Sequence, residues 1–304
     1  MGAVLLASGV VVSTSRGRCM SDITMDFRQP GPALADHFSF FYHFQQSNDR
    51  FEAVDRADYA QFRFILRGHN GQYRFIDGTE QAMPDIYVLG PTTGPAAFSG
   101  EGVIDVIGVG LMPDGWAALV PMDASAAANR LFDAEDLFGD IVIEAQAALR
   151  ATPDFDARIA IFEEMLVTLM ARKRADYHGF VRQVNEWLAE SPAPDVNDLI
   201  ACTGLSPSQV QRGCKRYFGS PPKLLARKYR ALRAAIALTH RDADLDDMLA
   251  EGFYDQSHFI RELKEFTGMT PGAYAEQPSV LNQQIAKRIA LERQNPLKRT
   301  GVIT

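Results

Sequence analysis

The stretch QRGCKRYFGSPP, Gln211 to Pro222, returns 49 residues later as IRELKEFTGMTP, Ile260 to Pro271. Arg212, Lys215, Tyr217, Gly219 and Pro222 recur as Arg261, Lys264, Phe266, Gly268 and Pro271, so R-x-x-K-x-[YF]-x-G-x-x-P occurs twice at one offset. A repeat of this length implies two copies of one supersecondary unit. Each copy reads as helix, glycine turn, helix. In the first, Val196 to Thr203 forms a short helix that stops at Gly204, a residue free to take positive φ. Ser206 then caps a second helix, with Pro207 at its first position and Gln209 placed to close a capping box. In the other copy Leu245 to Glu251 leads to Gly252, and Asp255 is the cap. Two short helices across a tight turn make a helix-turn-helix, whose second helix can lie in the major groove of double-stranded DNA.

The candidate DNA-contacting residues follow from the exposed face of each second helix. They are Ser208, Gln211, Arg212, Lys215 and Arg216 in the first copy, and Gln256, Ser257, His258, Arg261 and Lys264 in the second. Arg and Gln pair bidentately with guanine and adenine edges, while Lys mostly holds phosphate. Val210, Phe253, Tyr254, Phe259 and Leu263 read as core residues, as do the small side chains of Cys202 and Cys214. Gly213 stands inside the first reading helix, where glycine costs about 1 kcal/mol relative to Ala. The second copy is therefore expected to dominate sequence choice. Between the copies, PPKLLARKYRALRAAIALTH (Pro221 to His240) places Leu225, Tyr229, Leu232 and Ile236 on one helical face. A single linking helix can hold two reading helices in grooves ~34 Å apart. Of its cations Lys223, Arg227, Lys228, Arg230 and Arg233, some are expected to face phosphate and others only to solvate the linker.

Charge is distributed in the same sense. The 304-residue chain is acidic overall, yet residues 1–170 hold 11 Lys and Arg against 23 Asp and Glu, and residues 171–304 hold 20 against 15. Between Asp198 and Asp242 there are nine basic residues and no acid, the electrostatic footprint expected of a phosphate-binding surface. Cys19, Cys202 and Cys214 form neither a metal spacing nor an even framework, which fits a reducing cytoplasm. No run reaches the ~18 apolar residues of a membrane span. The apolar start resembles a signal segment but has no preceding Lys or Arg. Residues 1–25 are accordingly expected to be a disordered extension, or to follow from a start placed upstream of Met20 or Met25.

Residues 59–111 read as short antiparallel strands. In QFRFILRG, Phe62, Phe64 and Leu66 alternate with Arg63, Ile65 and Arg67, the period of a half-buried strand. Asn70-Gly71 marks a turn, Gln72 to Ile76 a return strand, and Asp77-Gly78 a second turn. Strands from Ile86 and Val103 follow. Strands punctuated this often suggest a small barrel or sandwich. After Met122 the period becomes helical, with Ile159, Phe162, Leu166 and Leu169 on one face that suits either a dimer seam or packing on the barrel.

Residues 180–275 resemble the DNA-binding domain of the AraC/XylS family of transcription regulators. GFYDQSHFIRELKEFTGMTPGAY, Gly252 to Tyr274, is close to that family's signature throughout. In the first copy Gly213 and Cys214 depart from it, falling where a large apolar residue and an aromatic are usual. Ile200 and Met248 replace the common Ala four residues before each turn glycine. The resemblance implies an α+β chain with an N-terminal small β-barrel, often cupin-like, and a C-terminal all-α double helix-turn-helix domain. The expected division is an extension (1–25), a β-rich sensing domain (26–122), a helical linker or dimerisation segment (123–176), the double helix-turn-helix domain (177–277) and a tail (278–304). The expected function is sequence-specific DNA binding in transcription regulation, controlled by a small-molecule effector or by homodimerisation. RNA polymerase is a candidate partner, and no cofactor, metal, catalytic residue or membrane contact is expected. Two alternatives compete. His37, His43 and His69 near the strands raise a cupin-type metal enzyme, although no H-x-H pair is present. An adaptor of the same fold that has lost DNA binding is the other.

Overall fold

The computed structural model describes residues 2–5, 10–14, 23–171, 178–238 and 252–275. A ten-stranded antiparallel sheet forms the N-terminal half. Its strands are β1 (Gly2–Leu5), β2 (Val10–Thr14), β3 (Ile23–Arg28), β4 (Phe38–Gln46), β5 (Arg50–Asp55), β6 (Ala60–Arg74), β7 (Glu80–Ala82), β8 (Ile86–Leu89), β9 (Ala96–Leu111) and β10 (Leu131–Asp133). The main path runs β1-β2-β5-β9-β6-β8-β10, with β4 also on β9 and β3 beyond it. The long β9 serves β4, β5 and β6 at once, which folds the sheet into a barrel-like shape without closing it. β1 and β2 lie within the segment expected to be a disordered extension.

Two expectations about the strands are corrected. Asn70-Gly71 does not end a strand, because β6 continues through it to Arg74. The turn signal is absorbed instead as bulges against β9 between Ile65 and Gln72, with Asn70 at φ 52°. Nor is QFRFILRG half-buried, since residues 60–66 are buried on both faces. One face carries Phe62 and Phe64, into which α4 (Phe155–Met170) drives the ring of Phe162, edge-on to Phe41, Phe62 and Phe64 at 5.3, 5.6 and 4.9 Å. On the other face Arg63 is 5% exposed. Its guanidinium donates to Tyr42 Oη (2.6 Å), Tyr73 Oη (2.6 Å) and Asp55 Oδ2 (3.2 Å), so the buried charge is paired and hydrogen-bonded. Asp77-Gly78 does turn the chain, with Gly78 at φ 82°.

Helices α1 (Pro113–Leu119), α2 (Ala134–Phe138), α3 (Asp140–Ala151) and α4 cover the sheet. The short strand β10 precedes α2, so the segment from Ala124 is not helical throughout. Ile159, Phe162, Leu166 and Leu169 are buried in the barrel core, and Ile143 and Val167 remain exposed on the outer faces. The C-terminal half is helical: α5 (His178–Glu190), α6 (Val196–Thr203), α7 (Pro207–Phe218), α8 (Pro222–Ala237), α9 (Gln256–Thr267) and α10 (Pro271–Ala275). Gly204, at φ 65°, ends α6, and Ser206 and Gln209 close the capping box of α7. Asp255 caps α9 by accepting from His258 N at 2.7 Å. The expected helix Leu245 to Glu251 and the tail after Gln277 lie outside the described residues.

Gly213 does not interrupt α7. A Cβ at that position would stand 2.5 Å from Cε1 and Cζ of Phe180, so glycine is what allows the α5 ring to lie against the α7 backbone. Cys214 is buried as expected, its thiol pushed up to about 12 by burial, whereas Cys202 is exposed rather than in the core.

The two halves meet on one shelf of the β-domain, made by residues 56–59, 90–95 and 123–129. Thr92 clips two of these segments together, its N–H donating to Asp58 O (3.1 Å) and its Oγ1 accepting from Asp58 N (2.8 Å). Asn129 clips the third, donating to Thr93 Oγ1 and accepting from Thr93 N. Both repeat units rest on this shelf by their equivalent C-terminal turns. Gly219 lies against Pro91, and the last carbonyls of α7, Lys215 O and Arg216 O, accept from Ser125 N (3.0 Å) and Ala124 N (2.8 Å). Gly268 lies against Pro95, and Phe266 O at the end of α9 accepts from Ala57 N at 2.8 Å. Arg216 O and Phe266 O, helix-terminal carbonyls, are thus satisfied from the other half of the chain, and Lys215 O, which also accepts from Gly219 N at 3.2 Å, gains a second donor there. From α8, Lys228 is 3% exposed and donates to Asp58 O (3.1 Å) and Thr92 O (3.2 Å).

Burial pushes the Lys228 amine down to about 8, with Asp58 opposing and Arg56 adding to the shift. The folded chain therefore binds this proton less tightly than the unfolded one, and the penalty on the charged form fades as pH rises from 7 towards 10. Wild type should gain on the order of 1–3 kcal/mol over that interval relative to Lys228→Met, read from urea midpoints. A difference that is flat or falls with pH would contradict the burial of a charged amine. Packing of Phe180 on Gly213 makes a second prediction. Gly213→Leu, which helix propensity alone suggests as a stabilising repair, should instead cost roughly 1–3 kcal/mol by overpacking. Phe180→Ala in the same chain should recover part of that loss, and strict additivity in thermal unfolding of the single and double variants would refute the contact.

Candidate nucleic-acid interface

The residues expected to meet DNA are distributed on two helices that share a sequence pattern and a docking mode. On α7, Ser208, Gln211, Arg212 and Lys215 are exposed, while Val210, Cys214 and Phe218 face the helical core. Arg216 is also exposed but turns towards the β-domain, 3.6 Å from Asp123 and 5.5 Å above the Tyr217 ring. On α9, Gln256, Ser257, Arg261 and Lys264 are exposed, while Phe259, Leu263 and Phe266 are buried. The i, i+3, i+4 spacing of the apolar residues puts the polar ones on the opposite face in both helices. Among the described residues Arg212, Lys215, Arg261 and Lys264 make no ion pair, so their charges remain available to phosphate or base edges.

His258 differs from its neighbours on α9. It is half-buried, its Nδ1 accepts from Tyr254 N (3.3 Å), and its Nε2 stands 3.3 Å from Glu262 Oε1. Nδ1 is used as an acceptor and Nε2 faces the Glu262 carboxylate, so both ring nitrogens are turned to the chain itself. Tyr254 corrects its core assignment: it is 92% exposed, immediately before the cap of α9. Its place beside the N-terminus of α9 adds it to the candidate interface. The position just outside the cap, where no helical period applies, was the available signal.

The linking helix departs most from expectation. Lys228 is buried on the shelf, and Arg233 donates to Leu188 O, Ser191 O and Pro192 O at the end of α5. Arg227 and Arg230 both pair with Glu262 on α9, at 2.7 Å each. Burial alone would raise the Glu262 carboxyl, but hydrogen bonds from the two arginines outweigh it and hold the group below its usual range. Of the five linker cations only Lys223 is exposed and unpaired among the described residues.

A second candidate site lies inside the barrel. A cavity of about 50 Å³ is lined by Phe44, Ile65, Met83, Phe98, Ile104 and Val106, with buried Arg63 and Tyr87 on its wall and exposed Arg67 and His69 at its rim. Met83 packs so tightly over Gly71 that no Cβ fits there. The volume admits water rather than a metabolite, since small-molecule sites run to about 300–1,000 Å³. Among the described residues no group of three or more His, Cys, Asp or Glu is placed to hold a metal ion. His43 is buried 2.7 Å from Asp105 Oδ1 and 2.9 Å from Arg158 Nη1, tying the sheet to α4. No helix among the described residues is long and apolar enough to cross a membrane.

Residues 199–277 match a family model described as a helix-turn-helix domain. The chain is similar to the F1 operon positive regulatory protein of Yersinia pestis, with 32% identity over 107 residues. That match spans 35% of this chain and 35% of the relative's length. Among solved structures, ToxT from Vibrio cholerae O395 is similar at a TM-score of 0.46 and 10% identity, over 79% of this chain and 97% of that one. Unsaturated fatty acid-bound ToxT from Vibrio cholerae strain SCE256 gives 0.47 and 8%, over 87% of this chain and 98% of that one. The helix-turn-helix made by α6 and α7, the matching docking of α9, the repeat and the family match agree, and over residues 199–277 the chain carries a helix-turn-helix domain of the AraC type.

Proposed function

We propose that this chain is a sequence-specific DNA-binding transcription regulator that reads double-stranded DNA with α7 and α9. The observation that carries the reading is the shared mounting of the two helices. Each ends on the same shelf through an equivalent glycine turn, and each leaves an Arg and a Lys without an intramolecular ion pair among the described residues. In this reading Ser208, Gln211, Arg212, Gln256, Ser257 and Arg261 address base edges, Lys215 and Lys264 hold phosphate, and Arg216 and His258 act from the edge of the surface.

The β-domain, taken as residues 26–122, serves as the regulatory half. Its cavity favours an apolar effector with an anionic group for Arg67, and filling it requires Met83 to move off Gly71. Tyr87 and Phe98 line this cavity and flank the shelf segment 90–95, so a ligand that displaces them would act on both helix ends together. Residues 123–176 present Ile143 and Val167 on exposed faces that suit a homodimer contact. RNA polymerase is the protein partner that a promoter-bound regulator implies, and the cytoplasm is where such a protein meets the chromosome.

The test is selection of duplex DNA from a random pool by the full chain, followed by affinity measurements at one fixed salt concentration. Arg212→Ala and Arg261→Ala should each cost about 1–3 kcal/mol and relax specificity at their own base pairs. The unequal roles suggested by Gly213 rested on its propensity cost, whereas α7 is continuous and packed by Phe180, which supports comparable roles. Lys215→Ala and Lys264→Ala should weaken all duplexes alike. Failure of the full chain to prefer any sequence would leave the adaptor reading in its place.

A further inference from the structure

Glu262 is the residue on α9 that the DNA-reading face does not use. It follows Arg261 in sequence but points inward, and its carboxylate is 2% exposed. Oε1 accepts from Arg227 Nε at 2.7 Å, and Oε2 accepts from Arg230 Nε (3.0 Å) and Nη2 (2.7 Å). Arg227 Nη2 reaches on to Glu265 Oε2 at 2.6 Å. The same guanidinium groups lie over rings at each end of the helix, Arg230 over Phe253 (5.1 Å) and Arg227 over Phe266 (5.5 Å). Bonds from a planar fork are directional, so two forks converging on one carboxylate resist both rotation and sliding of α9 against α8. His258 Nε2 stands 3.3 Å from Oε1, on the same carboxylate. Arg227 itself is 39% exposed, so Glu262 and Glu265 stand between a solvent-accessible cation and any phosphate it can reach.

We propose that Glu262 determines DNA specificity in two linked ways: it positions α9, and it neutralises Arg227 and Arg230 so that the linking helix adds no sequence-blind attraction to phosphate. The inference rests on the DNA-binding reading above. Phosphate contacts raise affinity for every duplex equally, whereas base contacts discriminate. Holding the linker cations in internal pairs therefore shifts the balance of binding towards the groups on α7 and α9 that can read bases.

The test uses the full chain, its selected duplex and an unrelated duplex across a salt series. Glu262→Gln keeps the shape and removes the charge. The unrelated duplex should then bind more tightly at low salt, with a log–log salt slope steeper by about 0.9 for each phosphate newly contacted. Preference for the selected site should fall about tenfold, the loss of one good base contact. Glu265→Gln removes only the exposed partner of Arg227, and it should steepen the slope on the unrelated duplex while preserving site preference. A general structural lesion would instead weaken both duplexes by the same factor with unchanged slopes, and that outcome for Glu262→Gln overturns the proposal. If Glu262→Gln does not fold, an unchanged slope for Glu265→Gln overturns it equally. A wild-type chain with no preference for any duplex removes the DNA-binding reading and this inference with it, a result distinct from the other two.

Discussion

The arrangement of the molecule depends on how the last carbonyls of two helices are satisfied. An α-helix leaves its final C=O groups without internal partners, and burying them unpaired is costly. In α7 and α9 the glycine turns at Gly219 and Gly268 take up part of this need, and backbone amides of Ala57, Ala124 and Ser125 take up part of the rest. These amides belong to the N-terminal half, so α7 and α9 are oriented by a part of the chain distant from them in sequence. The close approach has a steric condition as well: a side chain at 219 would meet Pro91 at 2.5 Å. The two recurring glycines thus serve helix termination and domain docking together.

Charge follows the same division between internal and external use. The basic stretch from residue 199 to 241 looks uniform in sequence, but folding sorts it. Arg227 and Arg230 are paired with Glu262, Arg233 holds the end of α5, and Lys228 is buried on the shelf. Arg212, Lys215, Arg216 and Lys223 of this stretch stay outside, as do Arg261 and Lys264 beyond it. Two of the ion pairs in this chain, Arg63 with Asp55 and Arg230 with Glu262, sit beside the candidate sites, one on the cavity wall and one on the inner side of α9. Buried ion pairs of this kind contribute more to a unique geometry than to net stability, because desolvation offsets much of the attraction.

Much of the helical domain was legible in the sequence because its signals are local. Capping residues, turn glycines and the i, i+3, i+4 period act within a few residues, and they located α6, α7, α8 and α9 and separated Val210, Phe259 and Leu263 from Arg212 and Arg261. The 49-residue repeat then identified two equivalent units without any knowledge of their packing. What only the tertiary structure decided concerns partners distant in the chain. Asn70-Gly71 carries a strong turn signal, yet the strand resumes its pairing with β9 at Gln72, and the left-handed Asn70 is absorbed as a bulge. Tyr254 looks like a core aromatic and is exposed, while Gly213 looks like a defect and is the seat of the Phe180 ring. Glu262 lies 35 residues from Arg227 and 32 from Arg230, and no local rule connects them. Local propensity is set by each residue's own backbone and near neighbours. Burial, charge pairing and close approach depend on surfaces that exist only once strands and helices distant in the chain have packed.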